Sequence, residues 1–181
     1  MNKPLKTLIV FGTRPEAVKL APLIKVLKAQ PDNFETTVLV SAQHRSMLDQ
    51  ALSVFDIRPD IDLNLMKDGQ ELADVTSKVL LQLRQVIQTE KPDLVIVHGD
   101  TTTTFSSSLA AFYLDVPVAH IEAGLRTGDI KRPFPEEFNR RAVGQIATWH
   151  FAPTDWARDK LLAEGVPSKN ILVTGNTVID A

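Results

Sequence analysis

Three acidic side chains, Asp100, Glu122 and Glu136, each stand just past a short apolar run or at the start of a helical pattern. Two basic ones, Arg14 and Lys19, follow the first such run. Carboxylates take and return protons, while a guanidinium has the fork geometry for phosphate and an ammonium adds point charge. Gathered on one rim, these groups would make an acid/base centre beside a phosphate-binding edge, suited to a nucleotide-linked substrate.

That gathering requires strands that point the same way. Thr7 to Phe11, Thr36 to Ser41, Asp93 to His98, Pro117 to Ile121, Trp149 to Ala152 and Asn170 to Thr174 are short, apolar and separated by helical patterns. Leu20, Leu23, Ile24 and Leu27 share one helical face, as do Leu72, Val75, Val79, Leu83, Val86 and Ile87. The pattern predicts an α/β fold with a doubly wound, mainly parallel, Rossmann-like sheet. Pro22 inside the first helical pattern removes a donor and crowds the Val18 carbonyl, which predicts a kink.

With 181 residues, 44% of them hydrophobic, the chain can bury one sizeable core. A formal charge of -2 from interspersed acids and bases gives no footprint for nucleic acid or an anionic membrane. No apolar run approaches the roughly 20 residues of a spanning helix. The N-terminus has no export-signal pattern, so a cytoplasmic location is expected. The absence of cysteine excludes disulfides and thiolate nucleophiles, and no histidine pair has metal spacing, so no metal site is expected.

The first loop, Gly12-Thr13-Arg14-Pro15-Glu16, ends at a helix start whose amides and dipole face an anion. One glycine is not the three of a dinucleotide fingerprint. Spacing favours a functional Arg14 and leaves Lys19 balanced between function and an ion pair with Glu16. In His98-Gly99-Asp100-Thr101-Thr102-Thr103-Thr104, spacing puts Asp100 slightly nearer to a helix cap than to a reactive group, and the threonine hydroxyls suggest contacts to a polar ligand. Glu122 suits neither strand nor cap, which favours function. Glu136 has the bland alternative of a helix-dipole residue paired with Arg140. The loop between the two glutamates is long enough to gate a substrate. Gln43-His44-Arg45 lies at the end of the second strand within reach of a ligand, and Trp149 and Trp156 read as core or interface residues.

Taken together, Phe11 to Glu16, Ala42 to Arg45, His98 to Thr103, Glu122 to Gly128, Pro135-Glu136-Glu137-Asn139-Arg140 and Thr174 to Thr177 resemble the non-hydrolysing UDP-N-acetylglucosamine 2-epimerases of bacteria. The match runs along the whole chain, with six motifs in order. The resemblance implies one half of a glycosyltransferase-B-type fold, with residues 1–175 as an N-terminal Rossmann-like domain and residues 176–181 as the start of a crossover to a second domain. After Gly175 the chain stops one turn into an expected helix, which points to the N-terminal part of a longer protein.

The resemblance further implies interconversion of UDP-N-acetylglucosamine and UDP-N-acetylmannosamine by elimination and re-addition of UDP, inverting sugar carbon 2 without a nicotinamide or other cofactor. Asp100, Glu122 and Glu136 match the catalytic carboxylates. Arg14, Lys19, Asp100 and Glu122 match substrate contacts. The expected partners are the UDP-sugar, a second copy in a homodimer contacted through the helices near Leu72 to Ile87, and the second domain that completes the cleft, without which the chain is expected to be inactive. Ser46 and Gly69 replace a glutamine and an arginine of substrate-activated relatives, which counts against such activation. The alternatives are half of a B-type sugar-nucleotide transferase and a noncatalytic dimerising module.

Overall fold

Alternating apolar runs and 3.6-residue patterns call for a parallel sheet covered on both faces. The computed structural model, which describes residues 3–41, 45–65 and 69–181, has this form. Its strands are Leu5–Phe11 (β1), Phe34–Val40 (β2), Ile61–Asp62 (β3), Leu94–His98 (β4), Val118–Ile121 (β5), Trp149–Ala152 (β6) and Ile171–Val173 (β7). All pair in parallel, in the order β3-β2-β1-β4-β5-β6-β7. The helices are Arg14–Lys28 (α1), Arg45–Val54 (α2), Leu72–Glu90 (α3), Thr102–Tyr113 (α4), Glu136–Ile146 (α5) and Asp155–Ala163 (α6). The six expected strands are present. The added one, β3, is two residues long, too short to leave a periodic signature.

The chain winds outward from β1 to β3, then returns to lay β4 against the other edge of β1. A crevice opens at such a reversal, beyond the carboxyl ends of the strands. Leu8, Ile9, Val10 and Phe11 of β1 are all fully buried, because alternate residues face opposite layers. Ile9 and Phe11 pack with α1 and α2, while Leu8 and Val10 pack with α3, α4 and α5. A smaller cluster of Ala123, Ala152, Ala157 and Leu161 seats α6. Gly124, at φ +90, permits this close approach, since a Cβ there would lie 2.3 Å from the Ala157 carbonyl oxygen.

α1 runs on through Pro22, with Leu20, Ala21 and Ile24 buried around the lost hydrogen bond. Other expectations are revised. Trp149 and Trp156 are 40% and 51% exposed, so neither is a core residue. The apolar face of α3 is spent within the chain, with Val75, Val79, Leu83 and Ile87 buried in the second core cluster. What α3 and α4 leave outside is Leu72, Leu81, Phe112 and Tyr113. Asn176 caps a 3-10 turn, Thr177–Ile179, rather than an α-turn, and that turn lies against α1. The segment Ala42-Gln43-His44 and the side chain of Arg45 lie outside the described residues.

Candidate functional site

Strand β1 delivers Gly12 to the crevice at a point with no room for a side chain. A Cβ there would sit 2.4 Å from Ser41 Oγ and 2.7 Å from Thr103 Oγ1. The next turn closes on Glu16, which is 2% exposed. Its Oε2 accepts from the amides of Gly12 (3.0 Å) and Thr13 (2.8 Å) and from Thr13 Oγ1 (2.8 Å). Its Oε1 accepts from Thr101 Oγ1 (2.8 Å) and lies 3.0 Å from Thr104 Oγ1. One carboxylate therefore ties the loop after β1 to the loop after β4. Two loop amides expected to face an external anion are already satisfied, and Pro15 has none to offer. The exposed side chain of Arg14 remains available to one.

The threonine cluster also turns inward. Thr101 is the cap of α4, accepting from the Thr104 amide at 3.1 Å, and Thr104 Oγ1 donates to the His98 carbonyl at 2.6 Å. Thr103 Oγ1 shares a 2.9 Å hydrogen bond with Ser41 Oγ. These hydroxyls brace the loop instead of presenting themselves to a ligand. Capping by Thr101 releases Asp100 from that duty.

Gly99 takes φ +67 where β4 leaves the sheet, and His120 Nε2 holds its carbonyl at 2.6 Å. Asp100 follows. Asn139 Nδ2 donates to the Asp100 backbone carbonyl at 2.9 Å, and Arg140 pairs with the Asp100 carboxylate. Arg140 also lies 3.4 Å from the fully buried Glu137 carboxylate, which accepts from the Thr127 amide at 3.1 Å. The expected partner of Arg140 was Glu136; the i to i+3 spacing to Glu137 and the reach across to Asp100 win instead. Glu136 occupies the first position of α5, half-buried and facing the dipole.

Glu122 stands one residue past β5 at φ +62, a left-handed conformation unusual for a side chain without a short local hydrogen bond. Its Oε2 takes Lys19 Nζ at 2.5 Å and Asn176 Nδ2 at 2.8 Å, with His98 Nε2 at 3.7 Å. Lys19 thus pairs across 103 residues with Glu122, while Glu16 spends its oxygens on the two loops. Thr13, Arg14, Pro15, Val18, Lys19, Met47 and Val178 line an adjoining recess of about 620 Å³, within the usual range for a small-molecule site.

Burial is the largest influence on Asp100 and pushes its carboxyl upward; Arg140 pulls it back, and Glu136 and Glu122 push it up further. Asp100 therefore senses both of the other acids. Burial likewise raises Glu16 against the hydrogen bonds from Gly12, Thr13 and Thr101. Among the described residues, no cluster of three or more histidines and carboxylates is arranged for a metal ion.

Buried histidines give the fold a pH signature. Burial lowers His98 to about 4 and His120 to about 3, from 6.5. Between these values and 6.5 the unfolded chain binds more protons, so each histidine makes stability fall as pH falls. Raised Glu16 and Asp100 act in the opposite sense, because the folded state takes up their protons first. Comparing urea unfolding of the parent with His120→Gln isolates one contribution: near pH 5 the parent should lose about 1.4 kcal/mol more per pH unit. Parallel stability curves would contradict this.

Residues 25–181 match the profile of a family described as UDP-N-acetylglucosamine 2-epimerase. The chain belongs to the UDP-N-acetylglucosamine 2-epimerase family. Over 176 residues it is 58% identical to the probable UDP-N-acetylglucosamine 2-epimerase of Ralstonia solanacearum, covering 97% of this chain and 47% of that protein. Its fold matches the UDP-GlcNAc 2-epimerase from Neisseria meningitidis bound to UDP-GlcNAc with a TM-score of 0.94 and 53% identity, over 97% of this chain and 47% of that one. At 14% identity, Acinetobacter baumannii MurG shares the fold alone, with a TM-score of 0.64 over 94% of this chain and 45% of that one. The architecture of this epimerase-family chain is one Rossmann-like half of the glycosyltransferase-B type. It spans about half the length of the curated relatives it matches.

Sequence reasoning did not single out Glu16, His98, Glu137 or Asn176 as parts of this epimerase-family site. Glu16 had a local signal, the Thr13-to-Glu16 spacing of a capping box, and Glu137 had its i to i+3 spacing to Arg140. His98 and Asn176 meet Glu122 only through contacts between distant segments. Among the described residues no helix is long and apolar enough to cross a membrane.

Proposed function

We propose that this chain is the N-terminal half of an enzyme that interconverts UDP-N-acetylglucosamine and UDP-N-acetylmannosamine, with residues 176–181 leading into the second half. The observation that carries this reading is the meeting of Asp100, Glu122 and Glu136 on the edge that also bears Arg14 and Lys19. A relative of the same family binds UDP-GlcNAc, as the Neisseria protein does.

A carboxylate takes the proton from sugar carbon 2. The electron pair of that C–H bond forms the carbon 1 to carbon 2 double bond as the C1–O bond breaks and UDP leaves with its electrons. UDP oxygen then re-attacks carbon 1, and carbon 2 receives a proton on its opposite face from a second acid. Two opposed carboxyls are needed, and the rim holds three. Arg14 and Lys19 hold the diphosphate. Most of the uridine contacts belong to the second half, so the chain alone is inactive, and the whole enzyme works in the cytoplasm as a homodimer.

Incubation with UDP-N-acetylglucosamine in deuterium oxide tests this. Deuterium should enter carbon 2 with the full-length protein and not with the 181-residue chain. Transfer of the sugar to an acceptor with no exchange at carbon 2 would overturn the reading.

A further inference from the structure

His98 closes β4 with 3% of its surface exposed, and neither ring nitrogen has a hydrogen-bond partner. A ring buried that deeply ordinarily satisfies at least one nitrogen. Its neighbours do so: His120 Nε2 contacts the Gly99 carbonyl at 2.6 Å, and His150 Nε2 contacts the Ala147 carbonyl at 3.1 Å. His98 Nε2 instead points at Glu122 Oε2 from 3.7 Å, just beyond hydrogen-bond range. Lys19 and Asn176 hold that oxygen closer. Lys19 is also one of the two cations lining the recess beside α1, where a diphosphate would draw its ammonium away from Glu122.

We propose that His98 is a positioning residue: when Lys19 turns to the diphosphate, His98 Nε2–H donates to Glu122 and keeps that carboxylate aimed at the sugar. The inference rests on reading Glu122 as a reacting acid and deepens that reading. An ammonium held on Glu122 throughout would weaken it as a base, whereas an uncharged ring supplies orientation without a competing positive charge. Burial, the first influence on the ring, favours that uncharged form; Glu122 opposes it and Lys19 reinforces it. The charged and titratable groups around the pair are Lys19 from α1, Asp100 after β4 and His120 in β5, with Glu136 from α5 acting on Asp100.

The test uses the full-length protein with UDP-N-acetylglucosamine. His98→Phe should lower kcat about 10- to 100-fold, the worth of one hydrogen bond to a charged group, with KM within about threefold of the parent. His98→Gln, which restores a donor, should recover most of that loss. In His98→Phe the acid limb of the kcat profile should move to higher pH, because the carboxylate has lost a donor to its charged form. Unchanged turnover in His98→Phe, or a change confined to KM, would overturn the proposal. So would a folded His98→Gln as slow as His98→Phe. Ring nitrogen NMR of the unmodified protein gives a reading independent of any variant: bound substrate should show His98 protonated on Nε2, and protonation on Nδ1 would also overturn it. Glu122→Gln run alongside separates the two readings, since full turnover there removes the acid role of Glu122 while the ring tautomer still reports whether His98 engages it.

Discussion

Replacing Glu122 by glutamine in the full-length protein is expected to lower kcat by about 100- to 10,000-fold, the usual contribution of a placed acid/base group, while KM changes little. The amide keeps the shape and an acceptor oxygen for Asn176 but cannot take a proton. It also releases Lys19, whose ammonium lies 2.5 Å from the native carboxylate, so binding of the diphosphate should not suffer. A large rise in KM with near-normal kcat would make Glu122 a binding residue instead. Steady-state turnover and deuterium entry at carbon 2 measure the two possibilities separately. The left-handed backbone at φ +62 fits a reacting group, since strain of this kind is commonly retained where it aims a side chain.

The second large effect is on stability. Glu16→Leu should destabilise the chain by about 4 kcal/mol, because two loop amides lose their acceptor and each orphaned buried donor costs roughly 1–3 kcal/mol. For a chain of this size that corresponds to a fall in Tm on the order of 10 °C, readable by circular dichroism. Glu16→Gln should lose less, since one oxygen still accepts from Gly12 and Thr13. The threonine hydroxyls can partly satisfy each other, as the 3.0 Å contact between Thr101 and Thr104 already shows. A loss below about 1 kcal/mol in Glu16→Leu would mean that the two loops are held by packing alone.

The sheet was legible because its strands are continuous apolar runs, and the candidate carboxylates were legible because each interrupts a local pattern at a strand end or helix start. Burial on both faces leaves such a mark in the sequence; a two-residue edge strand such as β3 leaves none. The bracing of the site was hidden for a different reason. Lys19 to Glu122, Arg140 to Asp100 and Asn176 to Glu122 join residues 103, 40 and 54 positions apart, and no periodicity encodes them. Spacing pointed to nearer partners, Glu16 for Lys19 and Glu136 for Arg140, and the tertiary fold outbid both. The inward-facing threonines show the same limit: a row of hydroxyls looks alike whether it serves a ligand or a neighbouring loop.

Glu16 sets how the first loop meets a guest molecule. With a resident carboxylate occupying two amides that many nucleotide folds offer to phosphate, attraction passes to the exposed guanidinium of Arg14 on the outside of the turn. Affinity built on such exposed charges fades as salt rises, whereas a grip by sheltered backbone dipoles would persist. The chain carries its own anion where other folds seat a phosphate, and under the proposed function the full-length enzyme's hold on a nucleotide sugar should weaken as ionic strength rises.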